Sequence, residues 1–388
     1  MKPLATLLLV LFAVLAVFGT MTGCKGPEGP AGPAGPQGPA GPAGPAGPAG
    51  AGFNLEGFAD SIVCGTCHSP DLDTMYFVTA RVYQWQASKH AYGGDYERNA
   101  ASCSPCHSTE GFIRKMNGLP ARDITQPSPM GCFSCHSPHM RADFTLRTTA
   151  PVTIASQITG VNDATFDFGR GNLCVQCHQT RPLSPKMSNP ATSQTDTMRI
   201  TTSRWYPHYG VQGQMLLGTG GFQFPSYTYT GNTFHTNSLA IREQGCGICH
   251  MANPIGGGAG RAGGHTMNLR YEFHGAENYL TQGCRTSGCH TTMTNLDYNG
   301  VQTEVHHLLD SLFVTLGRRG WMDTVETSSN FGLVRASSSS PLVLFPAAKA
   351  GAIFNYYFVE HDLSGGVHNA RYSRELLESS LEYLASNP

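Results

Sequence analysis

The chain has 388 residues and a formal net charge of −1, with only 13% of residues charged, about half the share of an average globular domain. That balance excludes a polycationic nucleic-acid surface, and the longest apolar run, Leu4 to Phe18, is too short to span a bilayer, which excludes a polytopic membrane protein. The excess lies elsewhere, in 13 Cys, 16 His and 46 Gly.

Residues 1–23 read as an export signal, with Lys2 ahead of the apolar run and small residues after it. Met21-Thr22-Gly23-Cys24 resembles a bacterial lipobox, which implies that Cys24 is the lipidated first residue of the mature chain. Cys24 is also the odd cysteine once the others are grouped; the alternative is an ordinary cleaved signal with an incidental Cys. In the next segment, 24–52, Gly recurs at every third position from Gly26 to Gly50, and Pro follows the first eight of them. That is the repeat a collagen triple helix demands. A stiff monomeric stalk is favoured over a homotrimer, because the repeat is short and lacks charges able to pair across strands. At about 3.1 Å per residue such a stalk reaches roughly 80 Å.

The remaining 12 Cys fall into six groups. Five are C-x-x-C-H: Cys64/Cys67/His68, Cys103/Cys106/His107, Cys132/Cys135/His136, Cys174/Cys177/His178 and Cys246/Cys249/His250. The sixth, Cys284/Cys289/His290, has four residues between its cysteines. C-x-x-C-H is the attachment signature of c-type haem: two thiols bond one porphyrin and the next His is placed under the iron. A thioredoxin-like dithiol uses one C-x-x-C in a βαβ setting, while zinc sites and a disulfide framework leave six appended histidines without a role. Six haem c groups are expected, with His68, His107, His136, His178, His250 and His290 as proximal iron ligands. No catalytic residue is singled out.

Over roughly residues 55–388 the chain resembles multihaem c-type cytochromes of the outer-membrane or extracellular electron-transfer kind. The phrases that carry this are Trp85-Gln-Ala-Ser-Lys-His90-Ala91, His136-Ser-Pro-His139, Gly263-Gly264-His265 and Gly366-Val-His368-Asn369. The resemblance marks His90, His139, His265 and His368 as candidate distal ligands. His208, ahead of a Gly-rich loop, and His235, eleven residues before Cys246, complete six. Full closure by a second His suits a low-potential electron carrier, whereas chemistry at iron needs an open position. Val301, Val305, Leu308, Leu309, Leu312 and Leu316 predict a helix. His306 falls at the edge of its apolar stripe and His307 faces away. His306 and His274 are reserve ligands, and His361, between Glu360 and Asp362, is expected at the surface.

The expected fold is mainly irregular chain with short α-helices, organised around six stacked haems that replace a side-chain core. A cytochrome domain would span 53–310 and a helical C-terminal tail 311–388, with helices at 347–360 and 371–385. Ser203 to Thr236 is expected as ordered coil lying against haem, with a small hairpin as the alternative. The function expected is electron relay by an outer-membrane lipoprotein at the cell surface. Its partners would be other redox proteins, cytochromes or extracellular acceptors, with the membrane reached through the lipid and no nucleic acid involved. The alternatives are an oxidoreductase acting on a nitrogen or sulfur oxyanion, and a subunit of a conducting filament.

Overall fold

Val305, Leu309, Leu312 and Leu316 form one buried stripe on α1 (Val301–Arg318), at the spacing that puts apolar side chains on a single helix face. In the computed structural model, which describes residues 68–388 except 70, 72–74, 94, 142, 232, 259 and 287–288, this stripe packs against α2 (Lys349–Glu360) and α3 (Ala370–Ser386). The signal segment, Cys24, the Gly-Pro-Ala repeat, Cys64 and Cys67 lie outside the described residues. Among the described residues, no helix is long and apolar enough to cross a membrane.

Most of the chain before α1 is irregular and carries helices of four to nine residues. Three two-stranded antiparallel sheets interrupt it. β1 (Val152–Ile154) pairs with β2 (Ala164–Phe166), Val152 opposite Phe166. β3 (Met198–Ile200) pairs across the chain with the strand Leu342–Leu344, Met198 opposite Leu344. Between them in sequence, β4 (Arg270–Phe273) and β5 (Ala276–Tyr279) form a hairpin, so the Leu342–Leu344 strand is β6.

A side-chain core exists, contrary to the expectation that haems alone would supply one. It joins α1, α2 and α3 to Trp205, Val211, Met215, Phe222 and Phe224. The segment 203–236 is mostly irregular, as expected, but part of it belongs to this core. It contains a helical turn at Gln212–Leu217, and its aromatic residues insert into the helical core. The buried Asn355 of α2 explains the docking: its Nδ2 donates to the Phe222 carbonyl (2.8 Å) and its Oδ1 accepts from the Phe222 N–H (2.7 Å). Tyr372 of α3 accepts a further bond from the Gly221 N–H at 2.9 Å. Each buried Leu or Phe contributes about 1.5–3 kcal/mol, so this region holds itself together. The boundary expected at 310/311 falls inside α1, whose stripe runs on to Leu316; residues 311–388 are the centre of a core, not a tail. By contrast, between 68 and 149 the buried hydrophobic residues are Phe112 and Ile124 alone among those described.

Candidate haem-binding site

Each described motif closes on itself through its own backbone. The N–H of His107, His136, His178 and His250 donates to the carbonyl of the first Cys of its motif, four residues back, at 2.9–3.2 Å. This single helical turn puts two thiols and an imidazole on one side of the backbone. The sixth motif has two more residues, yet the His290 N–H still reaches the Cys284 carbonyl at 2.9 Å. The relation between first Cys and His is retained. All ten described cysteines are free of disulfides.

The six proximal candidates each face one of the six distal candidates. Ring centroids are separated by 6.3 Å for His68–His139, 6.2 Å for His90–His178 and 6.0 Å for His107–His208. The others are 6.3 Å for His136–His265, 5.9 Å for His235–His290 and 6.2 Å for His250–His368. Two metal–imidazole bonds of about 2.0–2.1 Å, with about 1.1 Å from each nitrogen to its ring centre, put centroids about 6.3 Å apart across one iron. The spacing fits a shared axial metal.

Local structure aims the distal rings. His90 sits in the turn Lys89–Tyr92, capped by the Ser88 hydroxyl accepting from the Ala91 N–H. His235 lies in Phe234–Asn237 behind a Thr233/Thr236 capping box. The His265 N–H donates to the Gln84 side chain at 3.2 Å. His368 follows Gly365 and Gly366, both at positive φ, and a Cβ at Gly366 would meet Val305 of α1 at 2.7 Å. That turn is open only to glycine.

Ring nitrogens away from the paired partner are engaged by the protein. Nδ1 of His136, His235 and His250 faces the carbonyls of Thr145 (3.3 Å), His368 (3.4 Å) and Met267 (3.0 Å). His178 Nδ1 faces Gln212 Oε1 at 3.2 Å, and His368 Nδ1 faces Asp362 Oδ1 at 2.8 Å. Such bonds fix the tautomer that leaves Nε2 for a metal. The Nδ1 of His265 is buried without a hydrogen-bond partner among the described residues. Burial holds His90, His208 and His265 down to about 4, and it lowers His107, His178, His235 and His250 too. These rings are kept in the neutral, metal-ligating form. At His368 burial also pulls downward, but the charge and hydrogen bond of Asp362 outweigh it and its pKa is raised.

Five of the pairs and all ten described cysteines line one cavity of about 3380 Å³, several times the ~300–1,000 Å³ of a pocket for a single ligand. Ten Arg and Lys side chains line it against three carboxylates, Asp95, Asp143 and Asp362, although the whole chain is nearly neutral. A lining of that sign suits the propionates of several porphyrins. The donor set, the spacing, the volume and the charge all fit haem.

Motif adjacency does not follow chain order. The thiols of Cys106 and Cys177 are neighbours close enough to influence each other, as are those of Cys174 and Cys246, and of Cys249 and Cys284. The fourth motif thus touches the second and the fifth, and the fifth touches the sixth. Backbone contact supports this: a Cβ on Gly171 would meet the Gly245 Cα at 2.8 Å.

The remaining histidines divide. His307 is exposed, His274 packs on Phe273 with centroids 4.0 Å apart, and His306 lines the cavity without facing a proximal ring. His361 is not at the surface: it is 3% exposed, covered by Tyr206, Tyr209 and Tyr357. Its charged sequence neighbours concealed this, because two of the covering rings, Tyr206 and Tyr209, come from a distant segment.

No family model matches the chain. In sequence it is a distant homologue of polyhaem c-type cytochromes. It is 23% identical over 354 residues to C-type polyheme cytochrome OmcC of Geobacter sulfurreducens, covering 76% of this chain and 44% of that protein. To C-type polyheme cytochrome OmcB of the same organism it is 22% identical over 354 residues, covering 78% and 45%. The chain spans less than half the length of these curated relatives. Among solved structures, the outer cell wall cytochrome OcwA covers 78% of this chain and 50% of its own, at a TM-score of 0.46 and 16% identity. The undecahaem cytochrome from the S-layer of Carboxydothermus ferrireducens gives 0.41 and 15%, covering 78% and 41%.

Proposed function

We propose that the chain is a hexahaem electron carrier of the cell surface, with two histidines on every iron. The observation that carries this reading is the set of six histidine pairs at 5.9–6.3 Å. Haem c, when bound, supplies reversible one-electron chemistry at low potential. The protein's own part is to hold the thiols of each motif for covalent attachment, to present neutral imidazoles on both faces, and to set cations around the propionates. The crossing of neighbouring motifs, as at Gly171 and Gly245, brings successive cofactor sites together, as electron relay requires.

His68, His107, His136, His178, His250 and His290 are proposed as proximal ligands. His139, His208, His265, His90, His368 and His235 are their respective distal partners. The lipid on Cys24 is proposed as the membrane anchor, with the Gly-Pro-Ala repeat as a monomeric stalk and a homotrimer as the alternative. Other cytochromes or extracellular acceptors are the proposed partners.

The test combines intact mass with low-temperature EPR on the full secreted chain. Six haem masses and wholly low-spin signals unaffected by CO and nitrite are expected. A five-coordinate haem that binds nitrite would replace the carrier with an oxidoreductase. Five haems with unmodified Cys284 and Cys289 would remove the sixth site.

A further inference from the structure

Among the five paired histidines whose Nδ1 partner is identified above, four face a neutral oxygen and one faces a carboxylate. His368 Nδ1 lies 2.8 Å from Asp362 Oδ1, and the Asp362 side chain is fully buried. Carbonyl and amide oxygens orient an imidazole but take little of its proton's charge. A buried carboxylate takes much more, and the ring it holds becomes a stronger electron donor at its other nitrogen.

The position of Asp362 is over-determined. The Ser364 hydroxyl donates to Asp362 Oδ2, and the same Ser364 oxygen accepts from the His368 N–H at 3.2 Å. The Gln212 amide donates to the Asp362 carbonyl at 3.4 Å while its oxygen faces His178. The Gln302 side chain of α1 donates to the Ser364 carbonyl at 2.9 Å. Carboxylate, ring and backbone turn therefore form one unit locked onto the helical core.

We propose that Asp362 is a positioning residue for His368. It holds the Nδ1 proton, fixes the tautomer that presents Nε2 towards His250, and makes the haem on Cys246 and Cys249 the one of lowest reduction potential. A richer axial donor stabilises ferric over ferrous iron, so the sign of the effect is set. Because the fifth motif lies between the fourth and the sixth, the most reducing site would stand inside the relay and not at an end. This inference rests on the haem reading of the His250–His368 pair.

The experiment is a potentiometric titration of the holoprotein followed by EPR, on the unmutated chain and on Asp362→Asn. The low-spin signal of this haem is assigned as the one converted to high spin in His368→Ala. In Asp362→Asn that signal should remain low-spin, change its g-values, and move from the most negative potential to a more positive one, with the others unmoved. Asp362→Glu should restore both properties in part. Should Asp362→Asn fail to accumulate, Ser364→Ala removes a donor from the carboxylate and should drive the same component further negative. An assigned signal that is not the most negative, or that stays put in either variant, overturns the role of Asp362 and leaves the haem reading standing. Absence of haem from the Cys246–Cys249 peptide, read by mass, overturns the haem reading itself.

Discussion

The Nδ1–H of His361 is directed at the backbone carbonyl of His208, 3.3 Å away. His208 needs such support, because it is a non-glycine residue at φ 71, a conformation that is strained for a side chain with a Cβ. The far nitrogen of His361 meets Glu360 at 3.0 Å, and Tyr209 lies over the ring with centroids 4.1 Å apart. The Pro207–Gly210 turn is thus clamped from α2.

His361→Ala should loosen that clamp. The variant leaves the His208 carbonyl without its buried donor, at about 1–3 kcal/mol, and should turn a fraction of one haem high-spin. EPR and a denaturation curve measure the two effects. A spectrum and midpoint identical to those of the unmutated chain would show that the His208 turn stands by itself.

Gly245 is the second sensitive point. It has φ 57, and a Cβ there would enter Gly171 and the Phe168 carbonyl. Gly245→Ala should therefore combine backbone strain of about 1–3 kcal/mol with an overpacking penalty of similar size. Gly118→Ala is the control, since Gly118 has φ 67 but nothing within 4 Å of its Cβ position. Equal losses in the two variants would mean that the crossing of the fourth and fifth motifs is not close-packed.

What the sequence made legible was local. The proximal candidates came from motif spacing, and the helices expected at 347–360 and 371–385 are found at Lys349–Glu360 and Ala370–Ser386, because their apolar period is continuous. The six distal candidates are the six rings that stand opposite proximal ones, but which faces which was not legible. His235 lies eleven residues before Cys246, yet it faces His290. The pairing of Met198 with Leu344 and the seating of Phe222 on Asn355 join segments whose own patterns announce neither. The burial of His361 was hidden for the same reason, since flanking residues do not reveal rings that arrive from elsewhere in the fold.

Core and cofactor make separable contributions. Phe354 is fully buried in α2, edge-on to Trp205 and stacked on Phe358. Phe354→Ala should cost about 3–5 kcal/mol. Covalent attachment depends on motif turns that close locally, so the haem count by mass should not change. What should weaken is ligation by His208 and His368, both held against α2 or α3. A lost haem mass would show instead that attachment needs the assembled core.

The start of α1 offers a pH-dependent test. The Asp297 carboxylate accepts from the Thr303 hydroxyl (2.6 Å) and from the Gln302 and Thr303 N–H groups (2.8 and 3.2 Å). Led by the Thr303 hydroxyl, these bonds hold its carboxyl below the usual carboxylate range. A pKa depressed in the folded state contributes stability that is fully present above the unfolded value near 3.8 and is lost as pH falls through the folded value. Asp297→Ala should therefore unfold more easily than the unmutated chain at pH 7, by about 0.5–2 kcal/mol as for a lost helix cap. The gap should narrow as the pH falls below the ordinary carboxylate range. The effect reaches the site, because the first turn of α1 carries Gln302, whose side chain bonds the Ser364 carbonyl at 2.9 Å, and Ser364 anchors the His368 turn. At neutral pH the same variant should broaden the low-spin signal assigned to His368. A stability gap that is constant from pH 7 to pH 3 would assign Asp297 no role as a charged cap.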